Sequence, residues 1–424
     1  METQEKKQRF TDSITFKALI VLALTLLLLI PQAMITSLIR ERKERSEETI
    51  RKINEKWSNP QTICGPVLNV ASSTDKYVLT PSILKIDAKL SPKKMYYGIY
   101  KTILYKSELQ ISGSFNNFEE VENLDNRTMY WDEAYISIGI SDLKGLVSNA
   151  ELTINGKTYT ADAEGSNYWF RGNMLKFPLK DFQKSPSGKN EFSCKLMLNG
   201  SENINFIPVG RTTEVKVSGK WSSPSFIGNF SSESTVEKES FSAKWNIMHF
   251  NRNIPEVLVF DSKTYHHYLD NEESSFGVGL IETVGHYQQN ERSSKYALMF
   301  IALTFVVFFF VEVLTKKKIH IIQYLLVGIA LILFYSLLLS ISEQIGFALA
   351  YLIASFATIG LISAYAQSIF KNKLHTGILT LILCVLYTFL YVILQLEDLA
   401  LLIGSVGLFA ILGVIMYLSR KINW

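Results

Sequence analysis

Cysteine, proline, histidine and net charge are all scarce in this chain. Its 424 residues include three cysteines, ten prolines and six histidines, and 43 basic residues nearly balance 39 acidic ones. Three cysteines exclude a disulfide-rich scaffold and a four-thiolate zinc site. A net charge of +4 gives no electrostatic footprint for nucleic acid. The sequence has no Gly-rich phosphate loop, no HExxH, no Gly-x-Ser-x-Gly elbow and no CxxC. It does have apolar residues. They make up 48% of the chain, enough to exclude wholesale disorder.

Those apolar residues are unevenly placed. One uncharged run covers 18–38, interrupted by Pro31 and Gln32. Five more follow near the C-terminus: Tyr296–Leu314, Ile319–Ser340, Ile345–Tyr365, Thr376–Gln395 and Leu399–Ser419. About 20 helical residues at about 1.5 Å each cross about 30 Å of hydrocarbon. The pattern therefore predicts six transmembrane helices, one N-terminal and five in a bundle over 296–419. The first run is too long for a secretory h-region and lacks a small-x-small cleavage site, so it reads as a retained anchor.

Charge assigns the sides. Lys6, Lys7, Arg9, Lys17, Lys316–Lys318, Lys371, Lys373, Arg420 and Lys421 all fall on one side of a six-span chain, and the opposite short loops carry Glu343, Glu397 and Asp398. Basic loops stay cytoplasmic. Both termini, 1–17 and 420–424, are thus expected in the cytoplasm, with residues 39–295 outside it. The outer segment holds 32 basic and 32 acidic residues, so the whole net charge belongs to the cytoplasmic flanks.

The outer segment opens with a charged stretch, 39–58, with Arg40 and Glu44, and Arg51 and Glu55, one turn apart. It reads as a stalk helix extending the first span. Residues 59–295 change character. Tyr77–Thr80, Ser107–Ser112, Ala134–Ile140, Glu151–Ile154, Glu214–Ser218 and Phe241–Met248 alternate apolar and polar residues, the period of half-buried strands. Asn155-Gly156 and Asn199-Gly200 suit tight hairpin turns. The fold class expected is α + β: six membrane helices around a large antiparallel β-rich domain, with two lobes dividing near 184–190.

Chemistry is sparse. His266 and His267 are adjacent, so on a strand they would point to opposite faces. No catalytic, cofactor or metal-ligand set emerges, and the chain is expected not to be an enzyme. Cys64 and Cys194 in the outer segment either pair or stay as buried thiols, and the sequence leaves both open. Polar residues in or beside the membrane runs are the remaining candidates, because they are costly there unless paired or near water. They are Glu312, expected beside nearby lysines; His320 and Gln323, one turn apart at a helix start; Tyr335; and Glu343, at an outer boundary. None supplies a charge at mid-depth, which counts against an ion-coupled relay.

Several segments together resemble the CreD family of bacterial inner-membrane proteins. They include Ile39-Arg-Glu-Arg-Lys-Glu-Arg45 with Trp57, Gln61-Thr-Ile-Cys-Gly-Pro-Val67, Leu198-Asn-Gly-Ser201 and Phe206-Ile-Pro-Val-Gly210. Trp221–Gly228, Ala243-Lys-Trp245, Asn251-Arg252, Arg292–Tyr296, Gln323–Gly328 and Phe334–Glu343 continue the series in order. One departure is Ala71-Ser72, where the family usually has a Pro-aromatic pair. The resemblance implies a protein of cell envelope integrity, tied to the response to β-lactam stress, without a known reaction or catalytic residue. Expected partners are the lipid bilayer and peptidoglycan, lipid or another envelope protein, with no nucleic acid and no cofactor.

Overall fold

The computed structural model describes residues 14–116, 118, 129–164, 169–170, 172–180, 182, 188–261, 274–280, 285–315, 317, 319–396 and 400–420. His266 and His267, the centre of the 184–190 linker, Glu397 and Asp398, and most of both tails lie outside the described residues. The chain divides into two compact units, 1–46 with 284–424, and 47–283.

Most helices of the helical unit are built from apolar sequence. Helix α1 (Ile14–Leu27) is followed after one residue by α2 (Leu29–Trp57). Pro31 has no N–H to return to the preceding turn, which accounts for the irregularity at Leu28. Bonds from Leu28 to Leu24 and from Gln32 to Leu28 carry the helix across it. Helix α2 runs on into the second unit, where Arg51 and Glu55, and Lys52 and Glu48, pair at one-turn spacing. The remaining helices are α3 (His286–Lys295), α4 (Ala297–Thr315), α5 (Ile321–Ile345), α6 (Phe347–Phe370), α7 (Lys373–Gln395) and α8 (Ala400–Ser419).

Four described helices are long and apolar enough to cross a membrane: Phe16–Trp57, α5, α6 and α7. The α3–α4 pair, bent by 48°, makes a fifth if it counts as one span. The apolar part of α8, Leu402–Tyr417, is shorter. At the break in the first helix, Leu28 packs against Gly328 of α5. A Cβ on Gly328 would crowd a Leu28 methyl, so glycine eases this close approach.

The second unit is β-rich. Its strands are β1 (Gln61–Ala71), β2 (Asp75–Leu79), β3 (Ile83–Tyr97), β4 (Tyr100–Phe115), β5 (Tyr130–Ile140), β6 (Glu151–Ile154), β7 (Lys157–Thr160), β8 (Asp162–Glu164) and β9 (Asn173–Pro178). They continue with β10 (Asn190–Ser201), β11 (Asn203–Ile207), β12 (Thr212–Gly219), β13 (Ser225–Gly228), β14 (Glu233–Val236), β15 (Phe241–Met248), β16 (Val257–Asp261) and β17 (Phe276–Gly279). One sheet runs β13-β17-β11-β1-β5-β9-β8, with β2 also paired to β1 and β16 paired to β2, and the other β14-β15-β12-β3-β4-β10-β6-β7. Strands β3, β10 and β15 alternate buried and exposed residues, as their sequences require. Strand β1 is buried almost throughout and therefore shows no alternation.

Three expectations change here. The domain is not wholly antiparallel, because β1 pairs β11 and β3 pairs β12 in parallel. Parallel neighbours need long connections, and short alternating runs do not reveal them. The division near 184–190 is not seen. Both sheets take strands from each side of that segment, and one apolar core, including Phe115, Ile138, Phe206 and Trp245, joins them. Asn199-Gly200 is not a turn either; it lies within β10. Gly200 sits under the ring of Tyr105, whose hydroxyl donates to the Asn203 carbonyl at 2.8 Å. Asn155-Gly156 does form its hairpin, with φ values of 50° and 80° between paired β6 and β7.

The end of α2 is fastened to this domain by polar side chains. Asn54 donates to Glu202 and accepts from Thr102, both at 2.9 Å. Fully buried Gln61 donates to the Ser58 hydroxyl and to the carbonyls of Asp142 and Asn199. Such groups are buried because each has a partner.

Candidate functional site

The five predicted polar residues do not converge. Gln323 and Glu343 lie on one helix, α5, and twenty residues of helix separate them by about 30 Å. The structure sorts the candidates into two polar clusters at opposite ends of α5, with Tyr335 between.

The first cluster surrounds Glu312. Its carboxylate meets the Lys17 ammonium at 2.5 Å, accepts from the Tyr324 hydroxyl at 3.0 Å and accepts from the Ile319 backbone N–H at 3.1 Å. Glu312 is buried, and Lys17 keeps about a quarter of its side-chain exposure, 26%. Among the described residues its lysine partner is Lys17 of α1, 295 residues away in sequence. The arrangement neutralises a charge inside an apolar unit and ties α1, α4 and α5 together.

His320 and Gln323 serve the start of α5. The His320 imidazole accepts from the Ile322 N–H, and Gln323 accepts from the His320 N–H at 2.9 Å, a reciprocal cap of the first turn. Both functional groups are occupied by backbone. The one-turn spacing at a helix start, visible in the sequence, is the signature of this cap.

Tyr335 is buried in an aromatic group. Phe334 packs edge-on against Tyr351 and Tyr387, with centroids 5.6 and 5.0 Å apart, and the Tyr351 hydroxyl donates to the Tyr387 carbonyl at 2.7 Å. This fastens α5, α6 and α7 to one another.

The second cluster is built around α3. The Tyr287 hydroxyl donates to Glu343 at 2.9 Å, and Arg42 approaches the same carboxylate at 4.0 Å. Asn290 donates to the Ser342 hydroxyl at 2.8 Å. Gln32 donates to the Ser294 hydroxyl at 3.0 Å, and Thr36 shares that hydroxyl at 2.7 Å. Helix α3 is thus tied to α2 and to α5. Gln32 Oε1, Asn290 Oδ1 and Ser293 Oγ are buried with no hydrogen-bond partner among the described residues. Such orphans are costly in an apolar setting. Of these residues the sequence reading reached only Glu343. The signal it passed over was Gln32, a lone amide inside an otherwise apolar run.

Among the described residues, no three His, Cys, Asp or Glu side chains gather where a metal ion would sit. Cys64 and Cys194 are free, buried thiols on different sheets. Burial raises both, Cys194 to about 12, so neither is a ready nucleophile.

The sequence matches the family described as Inner membrane protein CreD over residues 13–424. The chain belongs to the CreD family. The Inner membrane protein CreD of Escherichia coli K12 is 29% identical over 417 residues, covering 94% of this chain and 91% of that protein. Membership places the chain among inner-membrane proteins, in keeping with its apolar helices. Both polar clusters and the β domain lie within the CreD match.

Proposed function

We infer that the protein is a non-enzymatic inner-membrane component that supports cell envelope integrity, including the response to β-lactam stress, and that its β domain binds an envelope component. In this reading six spans cross the membrane, the bent α3–α4 pair and α8 being two of them. Both termini lie in the cytoplasm and residues 39–295 in the periplasm. The supporting observation is the build of the β domain. A unit of two sheets with one shared core is far larger than an anchor needs, and α2 is fastened into it by Asn54 and buried Gln61. Peptidoglycan, lipid or another envelope protein is the expected ligand, with no cofactor and no nucleic acid.

The test is complementation. A strain lacking the protein should regain envelope tolerance with the full chain and not with helices carrying an unrelated soluble domain in place of 47–283. Full rescue by the helices alone would overturn the reading.

A second reading has its own support. The orphaned polar atoms of Gln32, Asn290 and Ser293 sit inside the helical unit, as they would in a transporter or lipid-handling protein. Glu343→Gln and Asn290→Leu should then abolish the envelope phenotype while the chain still inserts. An unchanged phenotype would make these residues structural.

A further inference from the structure

Residues 39–295 are neutral overall, but their charge is not evenly spread. Residues 88–107 hold five lysines, Lys89, Lys93, Lys94, Lys101 and Lys106, and no acidic residue. They form the far half of the β3–β4 hairpin. Strand β12 accompanies β3 only to Leu90, and β10 accompanies β4 only from Leu104 onward. Beyond those points β3 and β4 pair with each other alone, from Lys94 opposite Ile103 to Tyr97 opposite Tyr100. The result is a two-stranded ribbon that outruns its sheet. Its base is braced, because Thr102, Ile103 and Leu104 are buried and Thr102 donates to Asn54.

The tip is apolar and exposed. Met95, Tyr96 and Tyr97 are 38%, 63% and 66% accessible, although nearby core positions of the same strands are closed. A neutral, solvated ribbon would carry mixed charges and small polar residues at its turn. This one places tyrosines and a methionine at the tip and cations behind them, with Lys101 6.0 Å from the Tyr96 ring centroid. Tyrosine favours the boundary between water and hydrocarbon, and lysines within reach of an anionic leaflet add attraction. The single-sign charge selects the partner: an acidic surface complements it, and the apolar tip suits one with hydrocarbon beneath.

We propose that the β3–β4 ribbon is a membrane-contacting arm that seats Met95, Tyr96 and Tyr97 at the headgroup level of an anionic lipid surface, with Lys93, Lys94 and Lys101 on the phosphates. This deepens the proposed function by naming a lipid surface as one envelope component. The test reads lipid contact alone, so its failure leaves the complementation result standing.

The full chain is placed in nanodiscs of phosphatidylcholine, or of phosphatidylcholine with phosphatidylglycerol, and backbone amide exchange is followed over residues 91–102. Exchange at the tip should slow on the order of tenfold or more in the anionic discs. Added salt should reverse much of that protection. Lys93→Glu/Lys94→Glu/Lys101→Glu should remove it, while exchange in β10 and β12 stays unchanged and shows the sheet intact. Tip exchange that is the same in both lipids and in detergent would overturn the proposal. So would protection that survives the triple substitution.

Discussion

Lys17 and Glu312 meet at 2.5 Å across 295 residues of sequence. This contact pins the N-terminal helix to the C-terminal helices, and it uses a carboxylate that also accepts from Tyr324 and from the Ile319 backbone. Removing one partner leaves a charge in an apolar unit. Glu312→Ala should therefore destabilise the helical unit by roughly 2 kcal/mol, below the figure for a fully buried pair because Lys17 is partly exposed. The double variant Lys17→Met/Glu312→Met should recover much of the loss. Thermal unfolding in detergent measures both. Equal losses in the single and double variants would show that the pairing is not the source.

The contact between Gln32 and Ser294 makes a parallel case. The Ser294 hydroxyl is shared by Gln32 and Thr36, and Gln32 Oε1 already lacks a partner. Ser294→Val should cost about 1–2 kcal/mol by adding unsatisfied buried groups. Replacing Gln32 with Leu in the same chain should restore much of the stability, since the remaining Thr36 hydroxyl still donates to the backbone carbonyl of residue 32. A cysteine pair placed at 32 and 294 offers a second readout, through its rate of crosslinking in the native membrane.

Burial holds the thiols of the β domain in their neutral form. A hydrophilic maleimide should leave Cys64 and Cys194 unmodified in the folded chain near neutral pH, and modify both after denaturation. Mass spectrometry distinguishes the sites. The pH sign follows from the raised Cys194 thiol. The folded state keeps its proton up to about 12, the unfolded one only to 9.0. The stabilisation is complete below 9 and is lost as pH climbs from 9 to 12. Cys194→Ala should flatten this alkaline decline.

Much of the architecture was legible because it rests on local pattern. Strands β5, β6, β12 and β15 coincide with runs of alternating polarity, and α5, α6 and α7 with membrane-length apolar runs. Asn155-Gly156 declared its turn because the two positive φ values belong to those residue types. What failed was non-local. The parallel partners of β1 and β3 are more than a hundred residues away, and nothing in either strand identifies them. Asn199-Gly200 looked like the other hairpin, yet its glycine answers to Tyr105 across the sheet. Glu312 was legible as a costly group in need of a partner, but nothing local pointed to Lys17 of the first helix. His320 and Gln323 had the spacing of a cap, and their own backbone accounts for both side chains.

In the proposed topology the β domain lies across the membrane from both termini. The direct measurement is a pair of reporter fusions to the full chain, alkaline phosphatase inserted between β14 and β15 and green fluorescent protein at the C-terminus. The account predicts an active phosphatase, which requires the periplasm, together with a fluorescent C-terminus, which requires the cytoplasm. An inactive phosphatase with a fluorescent C-terminus would put the β domain on the cytoplasmic side and contradict the account.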